Sequence, residues 1–511
     1  MKNTLSIALF FLTASRALAQ VPEDVIRLTY NTPSGTARNQ AIGGAGGSLG
    51  GEITSTYINP AGLGFFKLSE IVLSPGFTLA QSDGNYRETK ATSNSLNRFN
   101  ISTTGFVSAS TDAGNKWVSK AFSIAVNRTA NFNNSVYYRG INNYSSGSEA
   151  YAEELSRSGI DIDAYRYSAL SLGTKMAIHT YLIDTVTING INQVVGRPEY
   201  LDAVLQESSY TTKGGITEIA IGFAANNQDK FYIGGSIGVP IVKYERSLTY
   251  TESDPTNDVN NNFKYYRYEE KLTTTGAGLN AKLGIIFKPA QQMRFGAAIH
   301  TPTIYGLKDK MWAKMTTNVD KLFGNDSVGS ITSDYFSNGE GPVYKYDMSS
   351  PWKFMVSGSY FFNEEVEDVT QQRGFITADV EYVTYGSSKL SASQEGDDES
   401  YYEQVNKTIK NYYKSAFNFR IGGELKFNTI MARLGYAHYG TPYEDKTFKA
   451  SRSSISGGLG YRDKGIFIDL TYVHNIIKDV NFPYRLTDKA NTFADIKSRV
   501  GQILLTFGFK I

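Results

Sequence analysis

The sequence of 511 residues contains no cysteine. A chain without cysteine cannot form a disulfide, bind a metal through thiolates or carry a lipid on a cysteine side chain. Histidine is also rare, and no two histidines have the spacing of a metal motif such as H-x-x-x-H; the four are His179, His300, His438 and His474. We therefore expect no metal site, no cofactor and no catalytic residue, and we do not expect an enzyme.

Long apolar runs are absent as well. A helix needs about 20 apolar residues to span a membrane, and the sequence has no run of that length. At its start, Lys2 precedes a short apolar run from Leu5 to Leu12, and Ala17-Leu18-Ala19 follows with small outer residues. This order is typical of a secretory signal peptide. We expect residues 1–19 to be cleaved off before Gln20 and the mature chain to be exported without a helical anchor.

An excess of charge of one sign is missing too. The sequence has 51 lysines and arginines against 49 aspartates and glutamates, and loss of the signal peptide removes Lys2 and Arg16, which leaves 49 of each. Proteins that bind nucleic acids usually carry a basic patch that is visible in the net charge. No nucleic-acid partner is predicted.

Aromatic residues and glycine are abundant instead. The sequence has 35 Tyr, 29 Phe and 48 Gly, with a mean hydropathy of −0.31. Transmembrane strands use this composition, because aromatic rings lie at the lipid interfaces and alternate residues face a crowded lumen. The composition predicts an all-β protein of the outer membrane, in contact with lipid and surface glycolipid.

Strict alternation over about ten residues supports a transmembrane barrel. The clearest example is Phe417–Phe427, where apolar residues including Phe417, Phe419 and Ile421 share one face. Charged residues, among them Arg420 and Glu424, occupy the other face. We expect the apolar face to contact lipid and the charged face to point into the lumen, together with Lys426 and, on the next strand, Arg433.

The same pattern predicts 14 antiparallel strands in the part of the chain from 68 to 511. They lie near 68–80, 96–109, 119–131, 213–225, 230–250, 263–288, 293–315, 343–362, 373–389, 412–427, 430–440, 449–461, 466–478 and 496–511. The connections alternate between short turns and long loops, as in outer-membrane barrels. This alternation places the N-terminal segment and the C-terminus on the periplasmic side, and the longest loop, near 132–212, over the barrel mouth.

Residues 20–67 do not alternate. They contain a glycine-rich run that begins near Gly43, and they end in Asn59-Pro60-Ala61-Gly62. Dense glycine permits tight turns and close packing against surrounding walls, and Asn-Pro marks a turn. We expect this segment to be an N-terminal hatch, or plug, inside the barrel; the alternative is a periplasmic linker.

With these features the sequence resembles the FadL/TodX family of outer-membrane transporters for hydrophobic compounds. The hatch motifs are Ala41–Ala45 and Asn59–Gly62, and further similar segments are Asn127–Phe132, Ala297–Pro302 and Asp379–Tyr382. The resemblance implies a monomeric 14-stranded barrel with a hatch in its lumen. It also implies passive uptake of apolar ligands, which leave through a lateral exit at a kinked strand when the hatch moves.

The resemblance implies that Asn59, Pro60 and Ala61 take part in hatch gating, and that the ligand is a hydrophobic small molecule such as a long-chain fatty acid. Candidates for an apolar pocket are aromatic residues at the end of the hatch, Phe65 and Phe66, and on strand faces expected to point inward, Phe361 and Phe467. The alternative is that these rings fill space around the hatch. A second hypothesis is a non-transporting barrel, an accessory or scaffold subunit of a larger outer-membrane secretion, assembly or surface-lipoprotein complex.

Overall fold

The computed structural model describes residues 22–112, 114–188, 190–256, 258–324, 327–337, 339, 341–362, 373–393, 399–448 and 450–511. The predicted signal peptide lies outside the described residues. Among the helices of the described part, none is both long and apolar enough to cross a membrane.

Fourteen strands form the wall, and four of them consist of two segments separated by a short break. In chain order they are β1 (Glu70–Tyr86), β2 (Leu96–Thr111), β3 (Trp117–Asn131 and Asn134–Asn142), β4 (Val204–Asn227), β5 (Phe231–Ser253), β6 (Tyr265–Ala290), β7 (Met293–His300 and Ile304–Asn318), β8 (Val343–Ser349 and Lys353–Phe362), β9 (Gly374–Val383 and Lys389–Ala392), β10 (Ala416–Phe427), β11 (Ile430–Tyr439), β12 (Ser451–Asp463), β13 (Ile466–Asn481) and β14 (Ala494–Lys510). Each predicted strand overlaps one of them.

The wall is a closed antiparallel barrel. The first and last strands pair directly, from Glu70 opposite Lys510 to Asn85 opposite Asp495, so the sheet has no free edge there. Closure satisfies the backbone donors and acceptors that an open edge would expose to lipid. The predicted fold class, a 14-stranded antiparallel barrel, is confirmed.

The two faces of each strand differ as predicted. On β10, Phe417, Phe419 and Ile421 are each about half exposed, whereas Asn418 and Arg420 are buried. The buried side chains point into a filled lumen, and the exposed ones form an apolar belt around the outside. Alternation along a strand therefore separates the lumen from the lipid-facing surface.

Short turns and long loops lie at opposite ends of the barrel, called here the turn end and the loop end. β10 and β11 are joined at the turn end through Asn428 and Thr429, whereas residues 482–493 join β13 to β14 at the loop end. The C-terminus lies at the turn end, where the backbone N–H of Ile511 donates to the carbonyl of Ser69 at 2.9 Å.

Short helices from the N-terminal segment fill the lumen. They are α1 (Pro22–Thr29), α2 (Ala37–Ala41), α3 (Ser55–Ile58) and a 3-10 helix (Pro60–Phe65). Between them, Gly43, Gly44 and Gly50 have φ values of 69°, 74° and 70°, which glycine adopts without steric cost. Residues 22–66 form the plug.

The plug begins farther from the turn end than the sequence predicted. Val25 and Leu28 of α1 belong to a buried cluster with Tyr402 and Ile409 of the helix Glu399–Tyr412, which lies in a long loop. The chain then descends to the turn end, where Phe66 packs near the start of β1. Val25 and Leu28 thus pack into the loop-end core, at the end of the barrel opposite the C-terminus. That the N- and C-termini are periplasmic stays a prediction.

The longest loop is shorter than predicted, and it forms a helical cap on the barrel that we call the lid. β3 continues to Asn142 and β4 begins at Val204, so the loop spans 143–203 rather than 132–212. The Asn-rich break between the two segments of β3 resembles the start of a loop, which explains the error. Within the loop lies α4 (Gly147–Ser158), whose first turn has a capping box between Ser146 and Glu149. α5 (Leu172–His179) follows it.

The lid is anchored on the barrel rim by one buried carboxylate. Glu252, at the loop end of β5, is fully buried and accepts hydrogen bonds from the Ser146 hydroxyl at 2.5 Å and the Gly147 N–H at 2.6 Å. It also accepts from the Gln206 amide at 2.7 Å and the Tyr250 hydroxyl at 2.6 Å. Four donors compensate the desolvation of this carboxylate. The two from Ser146 and Gly147 hold the first turn of α4 in place.

Candidate functional site

The Asn59-Pro60-Ala61 segment fixes the plug to the wall near the turn end. Asn59 is 1 % exposed, and its Oδ1 accepts a hydrogen bond from the N–H of Ala61 at 3.2 Å, which caps the 3-10 helix. Its Nδ2 donates to the carbonyl of Gly47 in the plug at 2.7 Å and to that of Ile285 on β6 at 3.1 Å. One side chain thus joins two parts of the plug to the wall.

Glycines on the inward face let the plug backbone approach the wall. A Cβ atom at Gly284 would lie 1.8 Å from Asn59 Oδ1, and one at Gly435 would lie 2.1 Å from the backbone nitrogen of Gly43. Neither position has room for a side chain. At three further inward glycines an added Cβ would lie 2.3–2.5 Å from plug backbone; they are Gly234, Gly296 and Gly422.

An ion-pair network at the turn end links the wall to the plug. Arg433 Nε lies 2.5 Å from Glu424 Oε2, and Arg433 Nη1 lies 2.5 Å from Asp469 Oδ1. The plug contributes Arg38, whose Nε lies 3.3 Å from the same Glu424 oxygen. Burial acts to lower the pKa of Arg38, but Glu424 and Asp469 outweigh it, so the pKa rises and the cation is retained.

A second polar contact holds the glycine-rich run. The N–H of Gly47 donates to the Asp379 carboxylate on β9 at 3.2 Å. Arg420 on β10 lies 3.8 Å from Asp379 and 3.5 Å from Glu381. The inward direction predicted for Arg420, Glu424 and Arg433 is confirmed. Two of these carboxylates contact the plug: Asp379, which pairs with Arg420, and Glu424, which pairs with Arg433. Lys426 is only partly buried, close to the turn.

The four phenylalanines predicted as pocket walls fill space between plug and wall instead. Phe65 stacks on Tyr232 with ring centroids 3.8 Å apart, and Arg294 lies 3.8 Å above the ring of Phe361. Phe66 and Phe467 are buried in one apolar cluster near the turn end. None of the four lines the polar cavity beside the plug or the larger cavity under the lid.

A small polar cavity of about 150 Å³ lies in the middle of the lumen, beside the plug. Charged wall residues line it, including Lys282, Glu218 and Glu381. The Lys282 ammonium donates to the Glu218 carboxylate, and His300 Nε2 lies 2.8 Å from the carbonyl of Ile58 in the plug. This cavity offers water and small polar groups a better environment than an apolar ligand.

A larger cavity of about 780 Å³ lies between the plug and the lid. Its roof includes Tyr151 of α4, and its floor includes Ile26 and Asn31 of the plug. Its side wall reaches Phe132 and Asn133, at the break in β3. The cavity has the volume of a site for a drug-sized ligand.

The wall is split beside this cavity. The ladder between β2 and β3 ends at the pair Thr103–Asn127. Beyond it, the second segment of β3 pairs with β4 and passes close to β1, where a Cβ at Gly84 would lie 2.7 Å from the carbonyl oxygen of Tyr137. β2 remains paired with β1 up to Leu96. The two strands therefore diverge toward the loop end.

A plug residue bridges the split. The N–H of Ser34 donates to the carbonyl of Arg128 on β3 at 3.1 Å, and its hydroxyl lies 2.9 Å from that of Ser102 on β2. The Asn127 amide donates to the carbonyl of Ser34 at 3.3 Å. Ser34 thus takes the place of a strand partner where the wall has none. We call residues 31–34 the strap.

Breaks in three other strands are closed by the wall itself. At the break in β7, the N–H of Ala281 donates to the Thr301 hydroxyl at 3.0 Å, and the N–H of Thr303 donates to the Ser350 hydroxyl at 2.8 Å. Between β8 and β9, the N–H of Trp352 donates to the Thr384 hydroxyl at 3.1 Å. At the break in β3, the wall closes the side toward β4, where the N–H of Phe132 donates to the carbonyl of Gly214 at 3.0 Å. The side toward β2 differs, because there the bridging group, Ser34, belongs to the plug.

Sequence reasoning did not find Ser34. The sequence does contain two indications. Pro33 favours an extended backbone at the residue before it, and Asn127–Phe132 is one of the segments that resemble the family. The pairing itself joins residues 94 positions apart through backbone atoms, and no local pattern encodes such a contact.

The whole structure is similar to solved structures of transport proteins. It matches a Pseudomonas aeruginosa FadL homologue with a TM-score of 0.55 and 13% identity, over 94% of this chain and 99% of that chain. It matches the P. putida toluene transporter TodX with a TM-score of 0.50 and 13% identity, over 94% and 99% of the two chains. No family model and no curated protein matches the sequence. At such low identity these matches establish a shared fold, which confirms the predicted resemblance at the level of architecture.

Proposed function

We propose that this chain is an outer-membrane channel for the passive uptake of hydrophobic compounds, which leave sideways between β2 and β3. The observation that carries the proposal is the split between β2 and β3, which the plug residue Ser34 bridges. On the outer surface beside the split, Phe99 and Ile101 of β2 are 68% and 50% exposed. A ligand that passed the strap would enter an apolar surrounding.

The physical chemistry of the lumen favours this route over a straight descent. Below the large cavity an apolar ligand would meet Lys282, Glu218 and the packed plug. Transfer of an apolar ligand from water into lipid is favourable by about 25 cal/mol per Å² of its apolar surface. For about 300 Å² this is roughly 7 kcal/mol. The lateral route therefore avoids both the buried charges and an aqueous passage.

Long-chain fatty acids are the substrate class that the family resemblance implies. In this proposal Asn59, Pro60 and Ala61 act in hatch gating, because they hold the body of the plug against β6 while the strap moves. The long loops face outward, and the C-terminus lies in the periplasm. The barrel acts as a monomer.

Cellular uptake tests the proposal. Cells that produce the protein should take up radiolabelled palmitate or naphthalene faster than cells without it, without dependence on cellular energy. Asn59→Ala should reduce the uptake rate while the barrel remains folded, because the lost hydrogen bonds contribute about 1–3 kcal/mol to plug docking. Equal uptake with and without the protein would refute the channel.

The scaffold hypothesis is retained because charged residues and the plug fill the middle of the lumen. An accessory subunit needs no continuous passage, and the buried network of Arg433, Glu424 and Asp469 would suit a permanent closure. Purification in mild detergent separates the two hypotheses. Stoichiometric protein partners without any bound or transported apolar probe would favour the scaffold.

A further inference from the structure

Tyrosines are the most frequent residue type on the surface of the large cavity under the lid. Nine of them contribute to its surface: Tyr151, Tyr210, Tyr244, Tyr250, Tyr266, Tyr268, Tyr344, Tyr443 and Tyr484. They come from the lid, from the wall strands β4, β5, β6 and β8, and from the loops. The phenol groups are distributed around the cavity and not gathered at one end.

Some of these hydroxyls are engaged within the protein. The Tyr268 hydroxyl donates to Glu270 at 3.2 Å, and the Tyr484 hydroxyl donates to the carbonyl of Ser145 at 3.0 Å. Four others have no hydrogen-bond partner among the described residues; they are Tyr151, Tyr210, Tyr244 and Tyr344. Burial raises the pKa of Tyr151, so its phenol remains a proton donor. The cavity thus presents hydrogen-bond donors on several sides.

The carboxylates around the cavity are bonded to the protein. Glu270 pairs with Arg246 at 2.5 Å, and Glu154 accepts hydrogen bonds from the N–H and the hydroxyl of Ser171, each at 2.6 Å. Arg27 lies 4.4 Å above the ring of Tyr244. Arg452 and Arg485, which also line the cavity, lie over the rings of Tyr30 and Phe482. Beside these cations, flat aromatic faces and neutral phenol donors are available to a ligand.

We propose that this cavity binds a ring compound that carries several hydrogen-bond acceptors, such as the oxygen atoms of a polyphenol, in preference to a bare hydrocarbon or a fatty acid. The inference rests on the proposed uptake function and defines its substrate class. A fatty acid has one polar end, so its methylene chain would cover phenol hydroxyls without bonding them. A polyphenol can stack on the rings and accept from the hydroxyls at the same time.

Binding to the full chain in lipid nanodiscs tests this inference. Quercetin is the acceptor-rich probe, and naphthalene and palmitate represent the two competing classes. We expect quercetin to bind at least tenfold more tightly than either. The double variant Tyr210→Phe, Tyr244→Phe keeps both rings, and it should weaken quercetin binding by about fivefold for each hydroxyl removed.

The control is Tyr167→Phe, which removes a hydroxyl from a side chain that is 90% exposed and lies outside the cavity. It should leave all three affinities unchanged, and the double variant should leave naphthalene binding within twofold of the original. The inference is overturned if naphthalene or palmitate binds as tightly as quercetin, or if the double variant binds quercetin normally. Uptake of palmitate or naphthalene by cells would then still support the channel, so the two proposals fail separately.

Discussion

At the scale of single residues, the inward glycines decide whether the plug fits. Gly435 on β11 faces the plug backbone, whereas Gly457 on β12, which lies opposite Leu434, faces outward. A Cβ at Gly435 would meet the backbone nitrogen of Gly43 at 2.1 Å. A Cβ at Gly457 would meet the side chain of Leu434 at 3.3 Å and, at an ordinary contact distance of 3.7 Å, the carbonyl oxygen of Arg433. The two positions differ in what an added methyl group displaces.

Gly435→Ala should therefore destabilise the protein by about 1–3 kcal/mol through overpacking. The matched change Gly457→Ala should alter stability by less than about 0.5 kcal/mol, as surface substitutions usually do. The midpoint of heat-induced loss of the compact form on detergent gels measures both. Equal midpoints for the two variants would show that the plug does not pack against β11 as described.

Residue-scale predictions from the sequence were correct where they depended on one strand. Arg420 and Glu424 point inward because they alternate with apolar neighbours on β10, and that pattern is local. The role of Phe361 was not predictable in the same way, since its surroundings depend on Arg294 of another strand. Asn59 was identified by resemblance, but its partners Gly47 and Ile285 are backbone carbonyls that no sequence pattern specifies.

At the scale of elements, Glu252 is the polar anchor of α4, beside the buried apolar cluster that packs the lid on the wall. Glu252→Ala would leave the Gly147 N–H and the Tyr250 hydroxyl without their acceptor, and each unsatisfied buried donor costs about 1–3 kcal/mol. We expect α4 to detach while the barrel stays closed. Protease added to intact cells should then cut the loop 143–203, provided that this loop faces outward.

Glu207→Ala is the control for the lid, because Glu207 makes a partly exposed pair with Arg139 at 3.8 Å. That variant should resist the protease as the original protein does, since exposed pairs contribute about 0–1 kcal/mol. Cleavage of both variants, or of neither, would contradict the anchoring role of Glu252.

At the scale of the whole molecule, the architecture was predictable because lipid imposes alternation on every strand separately. Fourteen short patterns, each read alone, define the closed wall. The contents of the lumen were not predictable, since the strap joins Ser34 to Arg128 and the plug crosses the lumen from the loop end to the turn end. Such contacts form only in the closed barrel, and the proposed function rests on them.

The central claim is that a ligand leaves between β2 and β3 when the strap releases. Because the chain has no cysteine, a new pair has no competing partner within the chain. Ser34→Cys with Ser102→Cys joins the strap to β2, where the hydroxyls lie 2.9 Å apart. Ser48→Cys with Ser359→Cys joins the plug to β8 at a similar separation of 3.0 Å, away from the split.

Uptake of radiolabelled naphthalene by cells producing each pair, before and after reduction, is the most direct measurement. We expect the variant with the oxidised Ser34–Ser102 pair to lose at least nine tenths of its uptake and to recover it on reduction. The Ser48–Ser359 pair should retain most of its uptake in both states. Unchanged uptake by the oxidised Ser34–Ser102 pair, with the disulfide verified, would contradict the lateral exit.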